Sequence, residues 1–295
     1  MNMIRKRTGR DGRDLSWPEQ PEPLPIPLYD NHTHLEFEDG TEVLDPETSL
    51  AKAEAVGVRG VVQVGTDLET SRWGAAFAAQ DERVLAAVAL HPNEAPRLAE
   101  AGLLSEHLSE IARLAAQPRV RAIGETGLDF FRTGEEGRDA QIESFEAHID
   151  IAKSHGLALQ IHDRDAHEAV VQTLLRVGAP ERTVFHCFSG DAEFAKLCAE
   201  NGWYLSFAGT VTFKNAPALR EALTVTPASR MLVETDAPFL TPEPHRGRPN
   251  APYLMPNTVR RMAEVLETDL EALCVRLAQN TENVYGEWEN DEPGA

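Results

Sequence analysis

Eight short runs rich in β-branched and aliphatic residues, separated by longer stretches of helical period, constrain what this chain can fold into. They span Leu28 to Leu35, Arg59 to Thr66, Arg83 to His91, Arg119 to Leu128, Leu157 to Asp163, Thr183 to Ser189, Trp203 to Thr210 and Arg230 to Asp236. Strands alternating with helices read as βαβ units, in which the helix carries the chain back and the strands run parallel. Asp139 to Lys153 places Ile142, Phe145, Ile149 and Ala152 on one helical face, while Asp45 and Gly57 read as the cap and stop of another helix. The fold class expected is therefore α/β, a TIM-type (β/α)8 barrel of about 250 residues. Asn257 to Tyr285 adds two C-terminal helices. An open doubly wound sheet is the alternative, but no Gly-rich phosphate loop follows the first strand.

The ends read differently. Residues 1–27 join Arg5, Lys6, Arg7, Arg10 and Arg13 to Pro18, Pro21, Pro23, Pro25 and Pro27, with no apolar cluster to build a core. They are expected to be a disordered tail, with the barrel over 28–288 and an acidic tail over 289–295. The basic start has no apolar segment of signal-peptide type, no run approaches the ~20 apolar residues of a membrane span, and Cys187, Cys198 and Cys274 are an odd, scattered set. Together these suggest a cytoplasmic protein. Lys and Arg total 28 against 48 Asp and Glu, a net charge of -20, which opposes a protein that coats nucleic acid and suits a monomer. An enzyme gripping one chain end is compatible with that charge, because screening confines surface fields to about 8 Å at physiological salt.

Metal-capable side chains gather where a barrel keeps its active site, at the C-terminal ends of the strands. His32 and His34 end the first strand and share a face by the period of two. Glu125 comes late in the fourth, His162 ends the fifth, His186 lies in the sixth and Asp236 closes the eighth. Taken singly, each has an ordinary reading as a core histidine, an ion-pair partner or an Asx turn; six together at the ends of five strands point to metal. Imidazole and carboxylate suit Zn, Mn, Fe or Ni better than an all-oxygen set would. The set exceeds what one tetrahedral ion needs, so two divalent ions are expected, bridged by a carboxylate and acidifying a bound water. Mg, Mn and Zn all stay open as their identity.

The segments Asp30-Asn-His-Thr-His34, Ile123-Gly-Glu-Thr-Gly-Leu-Asp129, Ile161-His-Asp-Arg-Asp-Ala166, Phe185-His-Cys-Phe-Ser-Gly190 and Val233-Glu-Thr-Asp-Ala-Pro238 closely resemble the TatD family of metal-dependent deoxyribonucleases, within the amidohydrolase superfamily. The likeness runs from Tyr29 to Tyr285. Gly209-Thr-Val-Thr-Phe-Lys-Asn215 and Arg246-Gly-Arg-Pro-Asn250 are similar to the family's substrate-facing segments, and His91 matches a retained His. In Leu90-His-Pro-Asn93, Asn93 stands where the family usually has a second His. The resemblance implies that His32, His34 and Asp236 hold one ion and His162 with His186 the other, with Glu125 between them. It also implies cleavage of DNA phosphodiester bonds inward from a 3′ end.

Asp236 is the candidate general base, since a carboxylate beside the activated water is placed to take its proton. Glu234, two residues earlier, is either a partner that orients ligands or a paired core carboxylate. Arg164, Lys214, Arg246 and Arg248 lie just beyond strand ends, where they could neutralise phosphate, with His91 as a further substrate contact. His107, His148, His155 and His167 fall on helical segments and read as solvated or structural, and His245 as a loop residue. Two other functions fit the same residues: hydrolysis of an ester or amide such as an acyl group, and a catalytically idle metal-binding scaffold.

Overall fold

The computed structural model describes residues 12–288 and the backbone strand Arg5–Lys6, which pairs with Phe37–Glu38. The expected acidic tail, 289–295, lies outside the described residues, as do 1–4 and 7–11. Eight parallel strands form one sheet: β1 (Leu28–Thr33), β2 (Val58–Val64), β3 (Val84–Val88), β4 (Val120–Asp129), β5 (Ala158–Arg164), β6 (Thr183–Phe185), β7 (Tyr204–Phe207) and β8 (Met231–Val233). Their spatial order follows the chain, from β1 through to β8. An isolated parallel bridge, Thr33 to Ala237, joins the end of the first strand to the segment after the last. This is the (β/α)8 barrel class, with helices between the strands.

Several strands are shorter than the apolar runs that announce them, and the physical reason is at their ends. The eighth run reaches Asp236, but the strand stops at Val233, and Asp236 takes φ 51. The sixth stops at Phe185, two residues before Cys187 at φ 43. A left-handed residue cannot continue a pleated ladder, so His186 and Asp236 sit on turns just beyond their strands rather than within them.

The described residues pack as two compact units. The first gathers the chain up to Gln63, Gly190–Asn201 and Leu205–Asn283. In it Leu28 pairs with Val58 and Asp30 with Val61, and the Asn31 amide donates to Ser206 Oγ (2.8 Å) and the Val233 carbonyl (2.6 Å). Helix α1 (Pro46–Ala55) starts where Asp45 accepts from the Thr48 N–H at 3.0 Å, and Gly57 follows its end at φ +87, a conformation open to glycine. The two expected terminal helices are present, α9 (Met255–Val265) and α10, which starts at Leu270.

Residues 12–27 are not a disordered tail. Arg13 makes a two-pronged contact with the buried Asp39 (3.1 and 2.9 Å) and donates to the Gly247 carbonyl at 2.8 Å. Tyr253 donates to the Pro18 carbonyl (2.8 Å), Trp17 to the Glu42 carbonyl (2.9 Å), and the Leu24 N–H to the Val56 carbonyl (3.0 Å). Prolines lack a donor and have φ already fixed, so ordering such a segment costs little entropy and leaves fewer backbone groups to satisfy. An apolar core is not required when the hydrogen bonds are supplied by the surface beneath.

The second unit gathers Val64–Ser189, Gly202–Tyr204 and the chain from Val284. Strand β3 is a continuous apolar run, as expected of a parallel strand covered on both faces, while β4 and β5 turn polar towards their C-terminal ends. Helix α5 (Glu135–His155) buries Phe145, Ile149 and Ala152 as expected, and Ile142 is half-buried. His148 lies on the same buried face. Its Nε2 accepts from the Leu90 N–H (3.1 Å) and its Nδ1 lies 2.7 Å from the Ser144 carbonyl, which fits a neutral ring. Burial pushes the imidazole down to about 4.

Two outcomes are expected. The unfolded chain protonates His148 near its ordinary value of about 6.5, whereas the folded protein resists until about 4. Stability from this residue is therefore lost as pH falls through that window, and urea midpoints at pH 7 and 5 will differ less for His148→Gln than for wild type. Arg13→Ala removes the two-pronged contact to the buried Asp39 carboxylate and will cost about 2 kcal/mol by urea unfolding.

Candidate metal centre

In the first unit, β1 and the turn after β8 bring His32, His34 and Asp236 together. The Nε2 atoms of His32 and His34 lie 3.8 and 3.6 Å from one carboxylate oxygen, Asp236 Oδ1. The turn is held from several sides. The Asp236 N–H donates to the His32 carbonyl (2.9 Å), the His34 N–H to the Ala237 carbonyl (2.8 Å), and the Asn250 amide to the carbonyls of Thr235 and Phe239 (3.0 and 2.5 Å). Asp30 accepts from the Thr235 N–H and hydroxyl (2.9 and 2.5 Å). Burial pushes the Asp30 carboxyl up to about 7 against these hydrogen bonds, and Glu234 beside it raises it further. Glu234 is itself fully buried, its N–H donating to the Phe207 carbonyl at 3.2 Å. Phe37 and Phe239 stand edge-on to the His34 ring.

In the second unit, the ends of three strands bring histidines onto Glu125. One oxygen, Oε2, lies 3.0 Å from His186 Nε2, 3.1 Å from His162 Nδ1 and 3.7 Å from His91 Nε2. Burial would raise the Glu125 carboxyl, but the imidazoles of His91, His186 and His162 overcome it and hold the group well below the usual carboxylate range. His91 is pushed down to about 3 by burial. His162, buried too, is raised by Asp129 and Glu125 on its two sides.

Glycines make this convergence possible. A Cβ on Gly124 would meet the Gln160 Cβ at 2.4 Å, and one on Gly127 would meet the His162 carbonyl oxygen at 2.1 Å. Gly127 also sits at φ +139, which side-chain-bearing residues rarely adopt.

Both clusters fit a divalent cation. Donors each about 2.0–2.2 Å from a tetrahedral ion stand about 3.4 Å apart. The nitrogen-to-oxygen separations here, 3.0 to 3.8 Å, bracket that spacing. Single ligand atoms of His91, Glu125 and His162 all lie within 4.8 Å of one another. The donors are imidazole and carboxylate, the set that borderline divalent ions prefer.

The match of known families agrees with this chemistry. A model of the family described as TatD related DNase matches residues 29–286. The chain belongs to the TatD family. It is 43% identical over 263 residues to the uncharacterized metal-dependent hydrolase TatD of Mycobacterium tuberculosis, covering 88% of this chain and 98% of that protein. The uncharacterized metal-dependent hydrolase YabD of Bacillus subtilis is 37% identical over 88% of this chain and 98% of its own. Among solved structures, the TatD homolog YJJV of Escherichia coli K12 superposes with a TM-score of 0.79 at 26% identity, covering 88% and 98%. The phosphotriesterase homology protein of Escherichia coli shares the fold alone, at 14% identity and a TM-score of 0.63 over 90% and 100%. This TatD-family chain is a metal-dependent hydrolase on the amidohydrolase fold.

Its basic residues lie where the TatD resemblance puts them along the chain, but not all face outward. Arg248 is turned away: it donates to the Ser16 carbonyl (3.2 and 3.1 Å), the Ser16 hydroxyl (2.9 Å) and the Trp17 carbonyl (3.0 Å), with the Asp14 carboxylate 3.3 Å off. Its Nε and one terminal nitrogen are thus taken up by a segment that precedes the matched residues 29–286. Arg246 stacks on Phe213 at 4.1 Å and donates to Asn215. Arg164 stacks on Phe131 at 3.8 Å, and Lys214 is exposed. Asn93 donates to Asp129 Oδ2 at 3.0 Å.

Asp129 is the functional residue that the sequence reading passed over. It lies 3.4 Å from His162 Nε2, behind the ring face that meets Glu125, and its carboxyl is held far below the usual range by His162, Asn93 and the Arg132 N–H despite burial. A carboxylate behind a ligating imidazole fixes the ring and raises its basicity. The signal was available, since Glu125, Gly127 and Asp129 share one face of a strand by the period of two. Asp129→Asn keeps the shape and removes the charge; its metal affinity, read by competition with a chromogenic chelator, is expected to fall about 10- to 100-fold with the circular dichroism spectrum unchanged.

Proposed function

We propose that this hydrolase is a 3′-to-5′ exodeoxyribonuclease of the cytoplasm, acting as a monomer with two divalent ions, one on His32, His34 and Asp236 and one on the His91, His162, His186 and Glu125 cluster. The observation that carries the reading is the pair of buried imidazole–carboxylate clusters, one at 3.6 to 3.8 Å on Asp236 and one at 3.0 to 3.7 Å on Glu125. The DNA substrate is supported by the family's description as TatD related DNase.

When bound, the ions supply positive charge to a phosphoryl oxygen and acidify a water. The chain's own residues do the rest. Asp236 presents Oδ1 to two imidazoles, while its Oδ2 has no hydrogen bond among the described residues. That oxygen takes the proton of the attacking water, the role expected of a general base in contact with it. The rigid turn around Asp236 keeps the carboxylate in place while the proton arrives. Lys214 in the first unit and Arg164 in the second each offer positive charge to a phosphate, and Arg248, held by Ser16 and Trp17, does not.

The test uses single-stranded DNA labelled at either end, with chelator-stripped protein and Mg, Mn or Zn restored. The 3′ label is expected to leave first as mononucleotide, and only with metal. Asp236→Ala should lower kcat by about 10²- to 10⁴-fold. Release of no nucleotide with any metal, from protein that turns over an ester or amide, would sink the nuclease reading. Elemental analysis reports the ion count: Glu125→Gln is expected to lose the second unit's ion.

A further inference from the structure

In the second unit Arg164 and Arg138 make no ion pair among the described residues, in a chain that has 48 acidic residues. The guanidinium groups of Arg164 and Arg138 have no hydrogen bond or ion pair among the described residues. Each lies instead on an aromatic ring. Arg164 is 3.8 Å from the centroid of Phe131, and Arg138 is 4.3 Å from that of Phe130. The Nε of Arg138 is buried without a hydrogen-bond partner. Phe131 itself is 62% exposed, an unusual state for a ring at the end of a buried strand. Asp163 and Asp165 flank Arg164 in sequence, yet neither is paired with it.

The position of this group is fixed by the sheet. Asp129 pairs with Arg164 across β4 and β5, and the Phe130 N–H donates to the Arg164 carbonyl at 2.9 Å. His162 and Arg164 are two residues apart on β5 and so share a face, about 7 Å apart along the strand. That spacing is close to the distance between successive phosphates of a single strand. An exposed aromatic face beside uncompensated guanidinium groups is the arrangement that binds unpaired bases: the ring stacks on a base and the cation meets the phosphate.

We infer that Phe131 and Arg164, with Arg138 behind Phe130, form a stacking platform for an unpaired base of a single-stranded nucleic acid next to the second unit's metal cluster. This rests on the phosphodiesterase reading for its substrate, but it adds a site that the hydrolytic residues do not require. It also states a preference. A duplex end keeps its bases stacked on each other, so the platform selects single strands or frayed ends. In an acidic protein, stacking provides a hold on nucleic acid that long-range charge does not.

The experiment is equilibrium binding of fluorescein-labelled oligothymidylate, closed at its 3′ end by phosphorothioate linkages, to the metal-loaded full chain by anisotropy. Phe131→Ala is expected to weaken binding about tenfold and Phe131→Trp to retain it, as loss of one stacked base predicts. Arg164→Leu should weaken it as well. The same oligomer with abasic sites should bind wild type about tenfold less tightly and should not distinguish wild type from Phe131→Ala. Equal binding by wild type and Phe131→Ala, equal binding of normal and abasic oligomers, or no binding by wild type would each overturn the platform. Turnover separates the two readings. A wild type that binds through Phe131 yet releases no nucleotide from unmodified DNA refutes the nuclease and leaves the platform. One that releases nucleotide with KM unchanged in Phe131→Ala refutes the platform alone.

Discussion

A carboxylate held among imidazoles in the interior is the constraint around which the second unit is built. A buried charge without compensation costs several kcal/mol, so Glu125 can stay ionised there only if positive or polarisable groups meet it closely. They do, at 3.0, 3.1 and 3.7 Å, and they come from the ends of different strands. That requirement reaches down into the sheet. Strands β4 and β5 must approach closely enough to set His162 against Glu125, which is why no side chain fits at Gly124 or Gly127. It also reaches outward, because Asp129 and Asn93 extend the same polar chain behind His162. Small errors at such a centre are costly, and the surroundings are correspondingly over-determined.

The first unit solves a similar problem by a different device. Asp236 is aimed by a turn in a left-handed backbone conformation, not by a strand. Such a conformation is unfavourable for a residue with a side chain, and hydrogen bonds from Asn250, from Thr235 to Asp30, and to the His32 carbonyl hold it there. The buried Asp30 carboxylate thereby serves the turn.

Much of this was legible in the chain. The alternation of apolar runs and helical stretches reads directly as a parallel sheet, because burial on both faces demands it. The histidines and carboxylates at strand ends read as ligands because few other arrangements place so many there. What was illegible depends on contacts between residues remote in sequence. Nothing local says that Arg248 donates to Ser16 and Trp17, and a Pro-rich segment without apolar clusters looks disordered until the surface of Tyr253 and Arg260, which donates to its carbonyls, is known. The strand ends were overrun because left-handed turns at Cys187 and Asp236 interrupt the ladder inside runs that are still apolar. Asp129 was visible by period but resembled an ordinary strand-end carboxylate.

The grip of Arg13 on Gly247 spans 234 residues of chain. During synthesis most of the second unit can therefore form well before the first. Val64–Ser189 is one continuous stretch, and it can collect its core as it leaves the ribosome. The first unit cannot. Its segment around Arg13 and Pro18 is made between 231 and 235 residues ahead of its partners Gly247, Arg248 and Tyr253. Its edge strand β1 must likewise wait for the segment after β8, so the early product carries an unpaired strand edge for most of translation, the kind of surface that invites pairing with another nascent chain. The proline-rich opening, unable to extend a ladder of its own, is well suited to sit ahead of that edge.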